Sequence, residues 1–100
     1  MLDDFQTWVC SAGYGLIRLS TPIRPYEATF EHNHADAVAP KDAGYTTTDW
    51  WDALATWRPE GIWGPRTVAG IALSSPDDFL LVAVSGLYAA ALSADLERAV

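Results

Sequence analysis

Four of the chain's five tryptophans fall within residues 46–66, TTTDWWDALATWRPEGIWGPR. A packed tryptophan buries about 150–250 Å², so no other segment of similar length can anchor as much core. The stretch reads as a helix followed by a turn. Thr46, Thr47 and Thr48 offer N-cap hydroxyls, and Asp49 and Asp52 put negative charge beside the unpaired N–H groups of a helix start. Pro59 stops the helix, which predicts a last turn ending at Arg58. Trp50, Leu54 and Trp57 follow the i, i+4, i+7 spacing of one face and are expected to pack inward. Trp51 lies about 100° round from Trp50, at the edge of that face or beyond it. Trp51 and Trp63 are therefore the aromatic residues expected to remain partly exposed, beside acids, as at a protein-binding hot spot.

One hundred residues predict a single domain, 1–100, large enough to hold a core without a metal or disulfide staple. Half the residues are hydrophobic, which argues against disorder. Cys10 is the chain's single cysteine, so no internal disulfide forms. This fits a reducing compartment and predicts a cytoplasmic protein. The start, MLDDFQTW, lacks a basic region followed by an apolar run, and no signal peptide is expected. The longest apolar run, 79–92, is interrupted by Ser85 and Gly86 and falls short of the roughly 20 residues that span a bilayer.

Net charge is −7. Residues 25–60 hold Glu27, Glu31, Asp36, Asp42, Asp49, Asp52 and Glu60 against Lys41 and Arg58, a local balance of −5. Phosphate backbones repel such a chain, which excludes direct nucleic-acid binding as the expectation and favours a protein partner with a basic surface.

Along the chain, residues 2–12 read as a short helix, with Leu2, Phe5 and Val9 at apolar spacings, ended by Gly13 and Gly15. Residues 16–20 read as a strand. Pro22 and Pro25 bracket a turn, and Tyr26, Ala28, Phe30 and His32 alternate with Glu27, Thr29 and Glu31, which predicts a hairpin of 16–20 with 26–32. Residues 32–45 have no period and form a loop. After the tryptophan-rich helix comes an apolar, partly β-branched stretch, 67–73. Residues 79–84, FLLVAV, read as a strand and 87–100 as a helix, with Tyr88, Ala91, Leu92 and Leu96 near one face. The competing reading makes 76–99 one long buried helix, with Ser75 as N-cap and Pro76 in its first turn. The expected fold is α+β: an antiparallel sheet of about four strands with two or three helices packed on it. The alternative is mostly helical, around 76–99.

Three constellations bear on chemistry. His32, Asn33, His34, Ala35 and Asp36 form an H-x-H-x-D pattern, which puts His32, His34 and Asp36 on one side of an extended chain, as zinc or a similar ion requires. The pattern overlaps the start of the H-x-H-x-D-H motif of metallo-β-lactamase-type hydrolases, but position 37 is alanine and the chain has no other histidine. A Cys10 pair with His32 or His34 would need an adjacency that sequence does not specify. The carboxylate pairs Asp3/Asp4, Asp49/Asp52 and Asp77/Asp78 fall mainly where helix starts and turns favour acids, and Gly13-Tyr14-Gly15 lacks the third glycine of a phosphate loop.

The functional expectation is a small acidic non-enzymatic protein, without cofactor, monomer or homodimer. It binds and inhibits or neutralises a basic macromolecular partner through Glu27, Glu31, Asp36, Asp42, Asp49, Asp52, Trp51 and Trp63. Anti-CRISPR and toxin-immunity proteins share this profile, and nucleic-acid mimicry is one mechanism for it. A metal-binding or hydrolase-like domain built on His32, His34 and Asp36 is the first alternative. A self-associating structural subunit, with the apolar C-terminal third as interface, is the second.

Overall fold

In a computed structural model of the chain, the described residues are 6–21, 28–31, 35–78 and 80–100. They hold a two-stranded antiparallel sheet, β1 (Trp8–Ser11) and β2 (Gly15–Arg18), and four helices: α1 (Thr47–Thr56), α2 (Val68–Ser74), α3 (Gly86–Ala91) and α4 (Ser93–Ala99). The fold is a small α+β one, with two strands and four helices among the described residues where about four strands and two or three helices were expected.

The hairpin pairs Trp8 with Arg18 and Ser11 with Gly15. This corrects the expected helix over 2–12 where it is described, while residues 1–5 lie outside the described part. Trp8 and Val9 are aromatic and β-branched, which suits a pleated surface. Trp8 lies directly opposite Arg18, whose guanidinium covers its ring at 4.9 Å. The Ser11 hydroxyl accepts from the backbone N–H groups of Gly13 and Tyr14, which fixes the tight turn. Gly15 closes it at φ 80°, a left-handed backbone that favours glycine. A Cβ there would stand 3.1 Å from both the Leu54 Cβ and an Arg66 nitrogen.

The predicted hairpin of 16–20 with 26–32 is also corrected. Residues 16–18 belong to β2, whose partner is β1. Residues 22–27 and 32–34 lie outside the described part, and Thr29 instead forms an isolated parallel bridge with Ala37. The described part of the loop, 35–45, carries no helix and no strand beyond that bridge.

Thr46 caps α1 with a reciprocal box: its hydroxyl accepts from the Asp49 N–H, and the Asp49 carboxylate accepts from the Thr46 N–H. The helix ends at Thr56, two residues before the Pro59 argument placed it. Its buried positions are Thr47, Trp51 and Leu54. The expected inward set of Trp50, Leu54 and Trp57 is thus displaced by about one position. Trp51 is 1% exposed, Trp50 half-buried and Trp57 45% exposed. Trp50 leans outward because its indole N–H donates to the Ala12 carbonyl at 2.8 Å and its ring stacks on Tyr45.

Residues 67–73 form most of α2 with its N-cap Thr67, whose hydroxyl accepts from the Gly70 N–H. The 76–99 helix is not formed. Asp78 closes a turn on Ser75, residues 80–85 carry no helix, and α3 starts at Gly86 behind the Ser85 cap. The strand expected over 79–84 is not formed: residues 80–84 carry neither strand nor helix, and residue 79 lies outside the described part. Leu92, at φ −92° and ψ 4°, breaks the C-terminal helical segment into α3 and α4.

The core gathers Ala12, Leu16, Phe30, Val38, Trp51, Val68, Ala91 and Leu92. Phe30 meets Tyr88 edge to face at 4.7 Å. α2 packs on α4, and α1 on α3, where the Thr48 hydroxyl donates to the Ala90 carbonyl.

Candidate functional site

Two ionisable side chains are buried among the described residues, and both act as junctions of the fold. Asp95, on α4, is 1% exposed. One carboxylate oxygen accepts from the Trp51 indole N–H at 3.0 Å and the Val68 N–H at 2.8 Å, and the other from the Ala69 N–H at 2.8 Å. With Thr67 holding the Gly70 N–H, three N–H groups of the first turn of α2 end on side-chain oxygens. One carboxylate thus joins α1, α2 and α4.

Arg66, 3% exposed, donates to the carbonyls of Tyr14, Leu16, Leu54 and Trp57. It ties the hairpin to the C-terminus of α1, and its hold on the last carbonyls of that helix explains the early stop at Thr56. Burial, and then the charge of Arg58, lower its pKa from the ordinary arginine value. Sequence reasoning missed both residues. Asp95 continues the stripe of Tyr88, Ala91 and Leu92 at three- and four-residue spacing. That was the legible signal.

Cys10 is half-buried in β1, and burial, then the charge of Asp95, push its thiol up to about 11. A nucleophilic thiol needs the opposite shift. His32 and His34 lie outside the described residues, as does Glu27. Among the described residues, no group of three or more His, Cys, Asp or Glu is placed to hold a metal ion.

Glu31, Asp42, Asp49 and Asp52 are exposed and Asp36 is half-buried. Asp49 and Asp52 sit one turn apart on α1, and the Tyr45–Trp50 stack holds the end of the 35–45 loop against the same helix. Asp49 is committed to its cap, and Asp52 stands 3.7 Å from Arg98 with both side chains half exposed. Trp63 is 79% exposed. Trp51 is not available at the surface: the expectation of partial exposure fails because its indole N–H has a buried acceptor in Asp95.

Arg18 covers Trp8, Arg58 donates to the Gly64 carbonyl, Arg66 is buried and Arg98 faces Asp52. Arg66 apart, these arginines remain exposed, as do Lys41 and the acids Asp42, Glu60, Asp77, Asp78 and Glu97.

A cleft of about 710 Å³, which sequence reasoning did not anticipate, is lined by residues 6–10 and 80–85. Its floor includes Leu16, Val68 and Ile71. No helix among the described residues is long and apolar enough to cross a membrane. Neither protein-family models, nor curated proteins, nor solved structures give a match to this chain, so the functional reading rests on its geometry.

Proposed function

We propose that this chain is a small non-catalytic protein that binds a macromolecular partner with a basic surface, and inhibits or neutralises it by covering that surface. The observation that carries the reading is the unequal use of charge. Among the described residues, Arg18, Arg58, Arg66 and Arg98 each contact an aromatic ring, backbone carbonyls or an acid, while Glu31, Asp42, Asp49 and Asp52 are exposed with Lys41 as the one basic residue between them, in a chain of net charge −7. The outward field is negative, which steers a cationic surface toward the molecule and turns phosphate away. Trp63 supplies an exposed aromatic anchor. Groups that could otherwise do acid–base or nucleophilic work support the same reading. Asp95 and Arg66 hold the fold together, and the Cys10 thiol stays protonated at neutral pH.

The test is capture from nuclease-treated lysate by the tagged wild type and by a Glu31→Lys/Asp42→Lys/Asp52→Lys variant. Asp49 is left in place because it caps α1. The expected result is a basic protein held in stoichiometric amount by the wild type, eluted by salt and lost from the variant, with both proteins melting alike. Equal capture by the variant would reject the acidic surface as the binding element.

A further inference from the structure

Beyond the C-terminal end of α1, three of the chain's six Lys and Arg residues come together: Arg18, Arg58 and Arg66. Arg58 donates to the Gly64 carbonyl at 2.9 Å. A Cβ on Gly64 would stand 3.5 Å from an Arg18 nitrogen and 3.6 Å from the Trp8 ring. Two guanidiniums thus reach one residue, which puts these nitrogens within about 10 Å of each other by ordinary bond lengths. Arg66 is buried on the carbonyls of Leu54 and Trp57, near enough to Arg58 to feel its charge.

Both outer guanidiniums are exposed and have donors to spare. Among the described residues, Arg18 lies over the Trp8 ring without a hydrogen bond, Arg58 uses one of its five N–H groups, and neither pairs with an acid. Yet each is held in place, by a ring or a carbonyl, so binding would cost little further ordering. Apolar surface flanks them. Trp63, 79% exposed, precedes Gly64, and Leu19, 65% exposed, follows Arg18.

A guanidinium fork matches a carboxylate with two parallel hydrogen bonds. A nucleic-acid strand would have to lay a run of phosphates across a chain of net charge −7, past Glu60, which is exposed two residues from Arg58. A short segment with two carboxylates reaches the arginines without that run, and an apolar neighbour finds Trp63. We propose that Arg18 and Arg58, flanked by Trp63, form a docking site for a short acidic segment of a protein partner. The carboxylates sit on the guanidiniums and an apolar side chain sits on the indole. The site is opposite in sign to the 31–52 acids and lies about 10 Å along α1 from Asp49. A partner that presents base and acid in matching order is thereby held in one orientation.

NMR titration of the isotope-labelled full chain with the blocked peptide Ac-Glu-Ala-Glu-Ala-Leu-NH2 tests this, read at the Trp63 indole N–H and the Arg18 and Arg58 Nε–H. Alternate residues share one side of an extended chain, which aligns the carboxylates with the leucine. The expected result is saturating shifts at all three groups, half-complete below about 1 mM, and none with the glutamine counterpart, inorganic phosphate or octathymidylate. Arg58→Gln should weaken binding about tenfold or more. Arg18→Gln should do the same with an unchanged circular dichroism spectrum, and covers the case in which loss of the Gly64 bond disturbs the turn. Absence of saturation, equal binding of the glutamine peptide, or an Arg18→Gln variant that binds like the wild type would overturn the proposal. So would tighter binding of phosphate or octathymidylate, which would assign the site to phosphate. The Glu31→Lys/Asp42→Lys/Asp52→Lys variant repels an anion less and should bind the peptide more tightly while it loses lysate capture, so the two readings fail separately.

Discussion

At the scale of single residues, the most consequential atoms are the two oxygens of Asp95. Removing them in Asp95→Ala leaves the Trp51 indole N–H and the Val68 and Ala69 N–H groups without acceptors, one of them on a side chain 1% exposed. Each buried orphan costs about 1–3 kcal/mol and two of the three are buried, so a loss of at least about 2 kcal/mol is expected in urea unfolding. Asp95→Asn keeps the shape and part of the acceptor capacity and should cost clearly less. Arg66→Lys is expected to behave almost like a deletion, because an ammonium cannot reach four carbonyls at once as the guanidinium fork does. The Cys10 thiol gives a pH test. Its folded pKa, about 11, lies above the ordinary 9.0, so the neutral form is favoured by folding. The associated stability is full below pH 9.0 and is lost as pH rises toward about 11. Alkylation at pH 8 should accordingly be slow in the native protein and fast in urea.

At the scale of elements, two glycines separate backbone need from mere tolerance. Gly15→Ala places a Cβ 3.1 Å from Leu54 and Arg66 in a left-handed backbone, and about 1–3 kcal/mol of destabilisation is expected by thermal melting. Gly86→Ala, at the start of α3 with open space around it, should raise stability by about 0.5–1 kcal/mol. How legible each element was follows the same physics. The α1 start could be read because a capping box is local: Thr46 and Asp49 carry the whole signal. Which face of α1 turns inward could not, since the choice of Trp51 over Trp50 depends on a carboxylate 44 residues away. The N-terminal strand was taken for a helix because Leu2, Phe5 and Val9 fit a helical spacing as well as Trp8 and Val9 fit a strand. Gly15, the residue that decides, acts through contacts with Leu54 and Arg66. Among the candidate site residues, exposure of Glu31, Asp42, Asp52 and Trp63 followed from ordinary surface chemistry. The cleft had no local signature, because its walls lie about seventy positions apart in sequence.

At the scale of the whole molecule, charge and apolar surface are segregated. Seven of the thirteen acids lie along 31–52 and at 77–78, and the 79–94 stretch is uncharged. Added salt should therefore slow and weaken capture of a basic partner, because screening has a Debye length of about 8 Å at physiological ionic strength. Surface-immobilised binding run across a salt series would show the trend.

The bond from Trp51 to Asp95 spans 44 positions, and its consequence for a chain made from its N-terminus onward is one of timing. The residues of α1 and α2, and the apolar 80–84 segment, all leave the ribosome before the carboxylate that joins them exists. Any N-terminal fragment ending before residue 95 has a Trp51 indole and an α2 start with no acceptor. Non-local contacts are the slow step of folding, and here a required one arrives late. The nascent chain therefore passes through an interval in which the packing of α1 against α2 is uncommitted, and that interval closes when Asp95 joins them.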